Sequence, residues 1–481
     1  MAQKLLLITP PYHAGVVESA GRWPHLGFIY VAGHSRAAGF EVEIYDAMTK
    51  GHELHQIQEH IARAQPDFVG STAYTSSLYA AADVLRAAKE VDPRITTIIG
   101  GIHATFCYQE VLKDFPWVDF VVRGEGELTT PELLRCLVAG GDVSHVAGIA
   151  YRKDGQVVAT PPRPLMTNLD ALVPAWDLVE WPNYTLTVLP GSRLGLVNFS
   201  RGCVHGCSFC SQHKFWRKTY RARSPEAFVR ELEFLRDTYG VNVVMLSDEW
   251  PTRERKRWER VLELLIERQT GVYLLIETCV GDIIRDKDIL DKYRRAGVLH
   301  IYVGVEATSQ ERLDEFKKNI KCEESYQAIR LINEAGMISE CSFVLGTPTE
   351  TRAHIEETLQ LAKYYNPDFA HFLLLAPWPY ADIYEDVKDY ITEKDYSKYN
   401  FVNPVIRPAA MSEQELLRCM IDCYRRYYMD KLADYASEKD PLRRDYLIRA
   451  MQMMVSNSFL RQHVTGLGEM PEAVKKLLKA K

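Results

Sequence analysis

The chain has 481 residues, of which 47% are hydrophobic and 25% charged, with 28 Gly and 23 Pro. This is ordinary globular usage, enough for about three domains, and it excludes disorder, collagen and coiled coil as the main state. Lys plus Arg total 58 against 64 Asp plus Glu, a net charge of -6, which argues against a nucleic-acid partner. The apolar run Leu5 to Ile8 ends at Pro10 and Pro11, too soon for a signal segment, and no stretch reaches the ~18 apolar residues of a membrane span. A cytoplasmic protein is expected, with its ten Cys read as reduced thiols or metal ligands.

From Lys4 to about Cys136, short apolar runs alternate with helix-length segments: KLLLIT, EVEIY, DFVGST, ITTIIGG and DFVVRG. The pattern predicts a five-stranded, doubly wound parallel sheet over residues 1–145. Its loops Thr9 to Gly15, Ser71 to Ser76, Gly100 to Thr105 and Arg123 to Glu127 are expected on one ligand-binding rim. Six prolines between Pro161 and Pro190 mark residues 146–192 as a linker or strap. Six further strands, LGLVNFS, VNVVMLS, VYLLIET, LHIYVGV, ISECSFVLG and DFAHFLLLA, predict a partial β/α barrel over 193–378, with its chemistry at the carboxyl ends. Residues 379–481 are expected to be mostly helical.

Directly after LGLVNFS comes Arg201-Gly202-Cys203-Val204-His205-Gly206-Cys207-Ser208-Phe209-Cys210, with the spacing C-x3-C-x2-C. Three thiolates on one short loop suit a four-iron cluster whose fourth iron stays open for a chelating ligand. A zinc site completed by His205 or His213 is the alternative.

With Phe209 as the aromatic, this stretch resembles the signature of the radical S-adenosylmethionine (SAM) superfamily. The resemblance implies a 4Fe-4S cluster on Cys203, Cys207 and Cys210, with Phe209 beside it, and reductive cleavage of SAM to methionine and a 5'-deoxyadenosyl radical. It further implies SAM contacts at the later strand ends: Ser247, Asp248 and Glu249 for the ammonium, Glu306 for the ribose and Gly346 near adenine. Many relatives carry an Arg in the third-strand motif where this chain reads Glu277-Thr278-Cys279-Val280. Cys cannot fork onto a carboxylate as Arg does, and Cys279 reads equally as a small buried filler.

The amino-terminal domain resembles the cobalamin-binding module of one branch of this superfamily. That implies corrin contacts from Pro11, Ser71, Thr72, Ala73, Tyr74, Gly100, Gly101, His103, Glu125 and Gly126. Asp46 is followed by Ala47-Met48-Thr49, so the D-x-H-x-x-G motif is absent and cobalt is expected to lack its His ligand. Tyr74 is the candidate for the lower corrin face, or a rim aromatic in simple contact. His103 is a polar corrin contact, or a loop His satisfied by backbone.

Runs such as Gly100-Gly101-Ile102-His103-Ala104-Thr105-Phe106, Val122-Arg123-Gly124-Glu125-Gly126-Glu127 and Phe215-Trp216-Arg217-Lys218 are similar to the anaerobic magnesium-protoporphyrin IX monomethyl ester oxidative cyclases. The resemblance implies an oxidoreductase of tetrapyrrole biosynthesis with a planar tetrapyrrole substrate, fed by a one-electron donor such as flavodoxin or ferredoxin. A cobalamin-dependent methyltransferase is the alternative on the same scaffold. A corrinoid or iron-sulfur carrier is the non-enzymatic alternative.

Overall fold

The computed structural model describes residues 3–12 and 21–457. Part of the first rim loop, residues 13–15, and the end of the carboxyl-terminal region, 458–481, lie outside the described residues. The amino-terminal sheet contains β1 (Lys4–Ile8), β2 (Glu41–Tyr45), β3 (Phe68–Thr72), β4 (Thr96–Gly100) and β5 (Phe120–Val122), all parallel, in the order β2-β1-β3-β4-β5. Helices Leu26–Ala37 and Gly126–Val138 cover one face through Phe28, Ala32, Leu133 and Leu134. Helices Leu54–Ala64 and Leu78–Val91 cover the other through Ile57, Ile61, Leu78 and Leu85. Strands covered on both faces have no reason to alternate, and β3 is buried at all five positions. The order reverses between β1 and β3, which opens the crevice where such sheets bind ligands.

The linker expected over 146–192 starts as sheet. β6 (Ile149–Lys153) and β7 (Gln156–Ala159) form an antiparallel hairpin that extends the sheet beyond β5 to seven strands. Its turn is Asp154-Gly155, both at positive φ (50° and 75°), the conformation a two-residue hairpin loop requires. The rest of the segment, through the single turns Leu169–Ala171, Trp176–Leu178 and Trp181–Asn183, runs as a strap packed on both domains.

After β8 (Leu194–Val197), β9 (Ser200–Arg201) and β10 (Arg221–Ala222) pair with each other around the cysteine loop. The barrel continues with β11 (Val243–Leu246), β12 (Tyr273–Thr278), β13 (Val298–Glu306), β14 (Ile338–Leu345) and β15 (Phe369–Leu374). These form one parallel six-stranded sheet in the order β15-β14-β13-β12-β11-β8, the expected partial barrel. On β12, Leu274, Ile276 and Thr278 are buried toward the helices, while Tyr273, Leu275 and Glu277 take the lumen side.

The region after the barrel begins as an irregular segment with only short turns between Tyr384 and Lys398, so among the described residues the helical expectation holds over Glu413–Ser437 and Pro441–Asn457. Helix Glu413–Ser437 lies along the edge strand β15. There the Tyr428 hydroxyl accepts from Ala370 N–H and donates to Ala370 C=O, both at 3.1 Å, closing backbone groups that an edge leaves open.

Candidate functional site

The cysteine loop is held from three sides. Asp248, just past β11, is 2% exposed; its carboxylate accepts from Phe199 N–H at 2.9 Å, from Ser200 N–H and from Ser200 Oγ at 2.6 Å. Burial pushes its pKa up to about 7 despite those donors. Asp248 is thus bound to the backbone that launches the loop, rather than open to the ammonium contact expected of it. Glu249 accepts from Gly202 N–H at 3.1 Å and Trp216 Nε1–H at 2.6 Å. Ser247 remains exposed to the lumen and its Oγ accepts from Asn198 Nδ2 at 2.8 Å. At the loop's far end, Ser208 N–H donates to Phe316 C=O at 2.9 Å, and Phe209 meets the Phe316 ring edge-on at 5.3 Å.

Burial pushes Cys210 up to about 12, against the help of the Gln212 N–H that reaches its sulfur at 3.5 Å, and it raises Cys203 and Cys207 as well. Each of Cys203 and Cys207 adds its charge to that of Cys210, so the three thiols face one space. They do not, however, come within 4.8 Å of one another with any third ligand. Sulfurs on one zinc ion, at ~2.3 Å from it, are only ~4 Å apart. Among the described residues the three thiols thus form no compact zinc-type set, and three thiols on one loop suit an iron-sulfur cluster. His213 is turned away, its Nε2 3.3 Å from Asp382, and His205 stacks on Trp250 at 4.4 Å with its Nε2 3.6 Å from Cys279 Sγ. Cys279 is therefore no core filler; it borders the cluster loop.

The lumen beside the loop is strongly ionisable. Glu306 ends β13 at φ +66°, where the pairing with β14 slips, and its carboxylate receives Lys318 Nζ at 3.0 Å and Ser342 Oγ at 3.4 Å. A Cβ on Gly304 would lie 2.6 Å from Lys318 Nζ and 2.5 Å from Glu306 Oε1, so any side chain there would have to displace the ends of this pair. The Lys318 charge reaches Cys203, Cys207, His205 and Cys279. Glu277 is reachable by water yet stands inside the barrel: the surrounding protein, then the charges of Glu249 and Glu306, raise it to about 8. Sequence reasoning missed Lys318, which sits among surface-like charges in DEFKKNIK and gives no local signal. A lone acid at a lumen position of an apolar strand was a readable sign for Glu277. Gly346, after β14, is at φ +84° and donates its N–H to Glu350 at 3.1 Å, with Leu416 Cδ2 2.9 Å from where its Cβ would be.

On the rim, Pro11, Gly100 and Gly126 are half-buried, while Ser71, Thr72 and Ala73 are buried; Ser71 Oγ donates to Ile8 C=O at 3.0 Å. Gly101, at φ +92°, passes so close that its Cβ would lie 2.6 Å from Ala73 O and 2.8 Å from Ala73 N. Tyr74 is 62% exposed, and the surrounding protein and the Glu249 charge raise its pKa. That small-residue rim, with the exposed Tyr74 beside it, fits a macrocycle. His103 is fully buried behind the rim, its Nδ1 3.1 Å from Thr75 Oγ1, and offers no rim surface. Glu125 is also spoken for: it accepts from Arg201 at 2.8 Å, Arg221 at 2.9 Å and Met166 N–H at 2.7 Å, while Glu127 takes the other arm of Arg201 at 2.6 Å. These buried pairs tie the amino-terminal domain to the residue two before Cys203.

Aromatic rings gather nearby: half-buried Phe106 stacks on buried Tyr380 at 5.0 Å, Tyr380 on Trp378 at 6.3 Å, and Phe215 meets Trp216 edge-on at 4.7 Å.

Comparison with known proteins agrees with this geometry. The Radical SAM superfamily pattern matches residues 197–362 and the B12 binding domain pattern residues 12–134. The chain is 41% identical, over 95% of its own length and 83% of the relative's, to the anaerobic magnesium-protoporphyrin IX monomethyl ester cyclase of Rubrivivax gelatinosus. It is 29% identical to an uncharacterised methyltransferase of Pyrococcus horikoshii, over 89% of this chain and 92% of that one. Among solved structures, the cobalamin-dependent SAM radical enzyme OxsB, with aqua-cobalamin and SAM bound, shares the fold at a TM-score of 0.73 and 16% identity, covering 99% of this chain and 74% of OxsB. At such identity along almost the whole chain, the protein belongs to the cobalamin-binding radical SAM enzymes, in the family of the anaerobic magnesium-protoporphyrin IX monomethyl ester cyclases.

Proposed function

We propose that the enzyme carries out the oxidative ring closure for which its cyclase relatives are named, on a magnesium-porphyrin monomethyl ester, with the new oxygen taken from water. The observation that carries this reading is the run of rings, half-buried Phe106, Trp378 and Phe215 with Tyr380 buried among them, that joins the cobalamin domain, the segment after the cysteine loop and the segment after the barrel. A planar apolar macrocycle stacks on such surfaces and loses little entropy in doing so.

The bound cluster and cobalamin supply the one-electron chemistry that cleaves SAM and oxidises substrate. Cys203, Cys207 and Cys210 hold the cluster. Ser247 and Glu249 face the SAM ammonium, while Asp248 keeps the loop backbone in place. Glu306 takes the ribose, and Lys318 provides the cation for the SAM carboxylate that the third-strand motif lacks. Phe209 and Gly346 flank the cluster and the adenine. Pro11, Ser71, Thr72, Ala73, Tyr74, Gly100, Gly101 and Gly126 form the cobalamin rim; His103 and Glu125 support it from behind. Glu277, protonated near neutral pH, faces the reacting centre as a proton donor or store. A small one-electron donor such as flavodoxin or ferredoxin reduces the enzyme in the cytoplasm.

Anaerobic turnover with the porphyrin ester tests this reading. It should yield 5'-deoxyadenosine and methionine, with S-adenosylhomocysteine at background. The second reading, methyl transfer, is favoured by the match to the Pyrococcus horikoshii methyltransferase, and it requires S-adenosylhomocysteine in step with product.

A further inference from the structure

Behind the cobalamin rim lies a second set of ligand-type side chains, in which Cys107 and Glu110 have no part in the reaction proposed above. Helix Ile102–Phe106 passes through Cys107 into helix Tyr108–Asp114. Along this pair His103, Cys107 and Glu110 follow at i, i+4 and i+7, which places them on one face. One ligand atom from each lies within 4.8 Å of the other two, the one such group of three among the described residues. His103 is fully buried, and although its Nδ1 is paired with Thr75, its Nε2 has no hydrogen-bond partner. Leaving such a buried atom unpaired is costly, so the fold gains if something occupies it.

The surroundings point to what that is. The Tyr396 ring, from the segment after the barrel, lies 5.1 Å from the His103 ring, and its hydroxyl donates to Glu110 Oε1 at 3.4 Å. Tyr79 stacks on Tyr396 at 6.2 Å and closes that side. Glu110 is exposed and leaves a way in from solvent. The site lies on the sheet face that buries Ala104, Val111 and Leu112, opposite the face that holds Phe28 and Leu133.

We propose that His103 Nε2, Cys107 Sγ and Glu110 bind one divalent transition-metal ion of the zinc class, separate from the iron-sulfur cluster and from cobalamin. One imidazole, one thiolate and one carboxylate are a borderline-soft donor set, and ligands of a tetrahedral ion at ~2.0–2.3 Å need only a small closure from the spacing present. Tyr396 or water takes the fourth position. Binding replaces the Cys107 thiol proton by the metal and releases that proton to solvent. The ion fastens the helix pair to Tyr396, and through that segment to the rings at Tyr380 and Trp378.

The test uses the enzyme loaded with cluster and cobalamin, incubated with Zn2+ and freed of excess. The expected result is one zinc per chain, with an X-ray absorption spectrum showing a single sulfur among nitrogen and oxygen ligands. Cys107→Ser and Glu110→Gln should each weaken zinc binding by more than the ~10–100-fold typical of outer partners, with iron and cobalamin contents unchanged. Glu110 is exposed, so its variant keeps the test valid if Cys107→Ser folds poorly. Zinc that is absent, that shows two or more sulfurs and so sits on the cluster cysteines, or that binds both variants as it binds wild type overturns the proposal. Loss of cobalamin in Glu110→Gln overturns it too, because it assigns these residues to that cofactor.

Discussion

Glu277 shows how one residue translates its surroundings into a pH dependence. Its carboxyl has an unfolded pKa of ~4.3 and a folded one raised to about 8 by the protein that surrounds the lumen and by the charges of Glu249 and Glu306. The folded protein therefore holds a proton that the unfolded chain has lost. This stability is fully present below the unfolded value and disappears as pH rises toward about 8. The melting temperature of the cofactor-free protein should fall from pH 6 to pH 8.5. Glu277→Gln should flatten that fall, leaving the smaller slope due to Asp248, raised to about 7. Equal slopes in variant and wild type would show that Glu277 is ionised in the fold. At this scale the three cysteines were legible because their ligand spacing is local. Lys318 was not, because its role depends on a Gly304 that is distant in register and visible only in three dimensions. Nor was the binding of Asp248 to the Phe199 and Ser200 amides, which needs two strand ends side by side.

Among the elements, β13 does most to shape the lumen. Its slipped pairing and the left-handed turn at Glu306 bring that carboxylate and Lys318 into the space a side chain at 304 would fill. Gly304→Ala should push the pair apart, and Lys318→Gln should remove its charge. Both should weaken SAM binding to the cluster-loaded protein by about tenfold or more in equilibrium dialysis, the scale of a charge-assisted hydrogen bond. Unchanged dissociation constants would place SAM elsewhere. The six barrel strands were readable as apolar runs of strand length between helical segments, and the parallel order followed. The hairpin β6–β7 was also written in the sequence, as Asp154-Gly155 between β-rich runs. The dense prolines that follow drew it into the linker.

Across the whole molecule, the two domains are clamped at Arg201, 4% exposed at its side chain, between Glu125 and Glu127, 8% and 6% exposed. Burial works against the Glu127 carboxylate, but Arg201 more than offsets it and holds its pKa below the usual range. Glu127→Ala leaves one arm of the buried Arg201 without its acceptor while Glu125 keeps the other, so it should cost about 1–3 kcal/mol in denaturant unfolding and loosen the cluster. The double variant Arg201→Met with Glu127→Leu should recover most of that loss, and Glu125 keeps Arg221. A single variant as stable as wild type would show the clamp to be incidental. Nothing in the sequence paired these residues, because the contact crosses between domains.

The most direct test of the central claim is anaerobic turnover of the porphyrin ester with methyl-deuterated SAM in oxygen-labelled water. Cyclisation predicts a product free of deuterium that carries one labelled oxygen. A product that carries the deuterated methyl group and no labelled oxygen would contradict it and make the enzyme a methyltransferase.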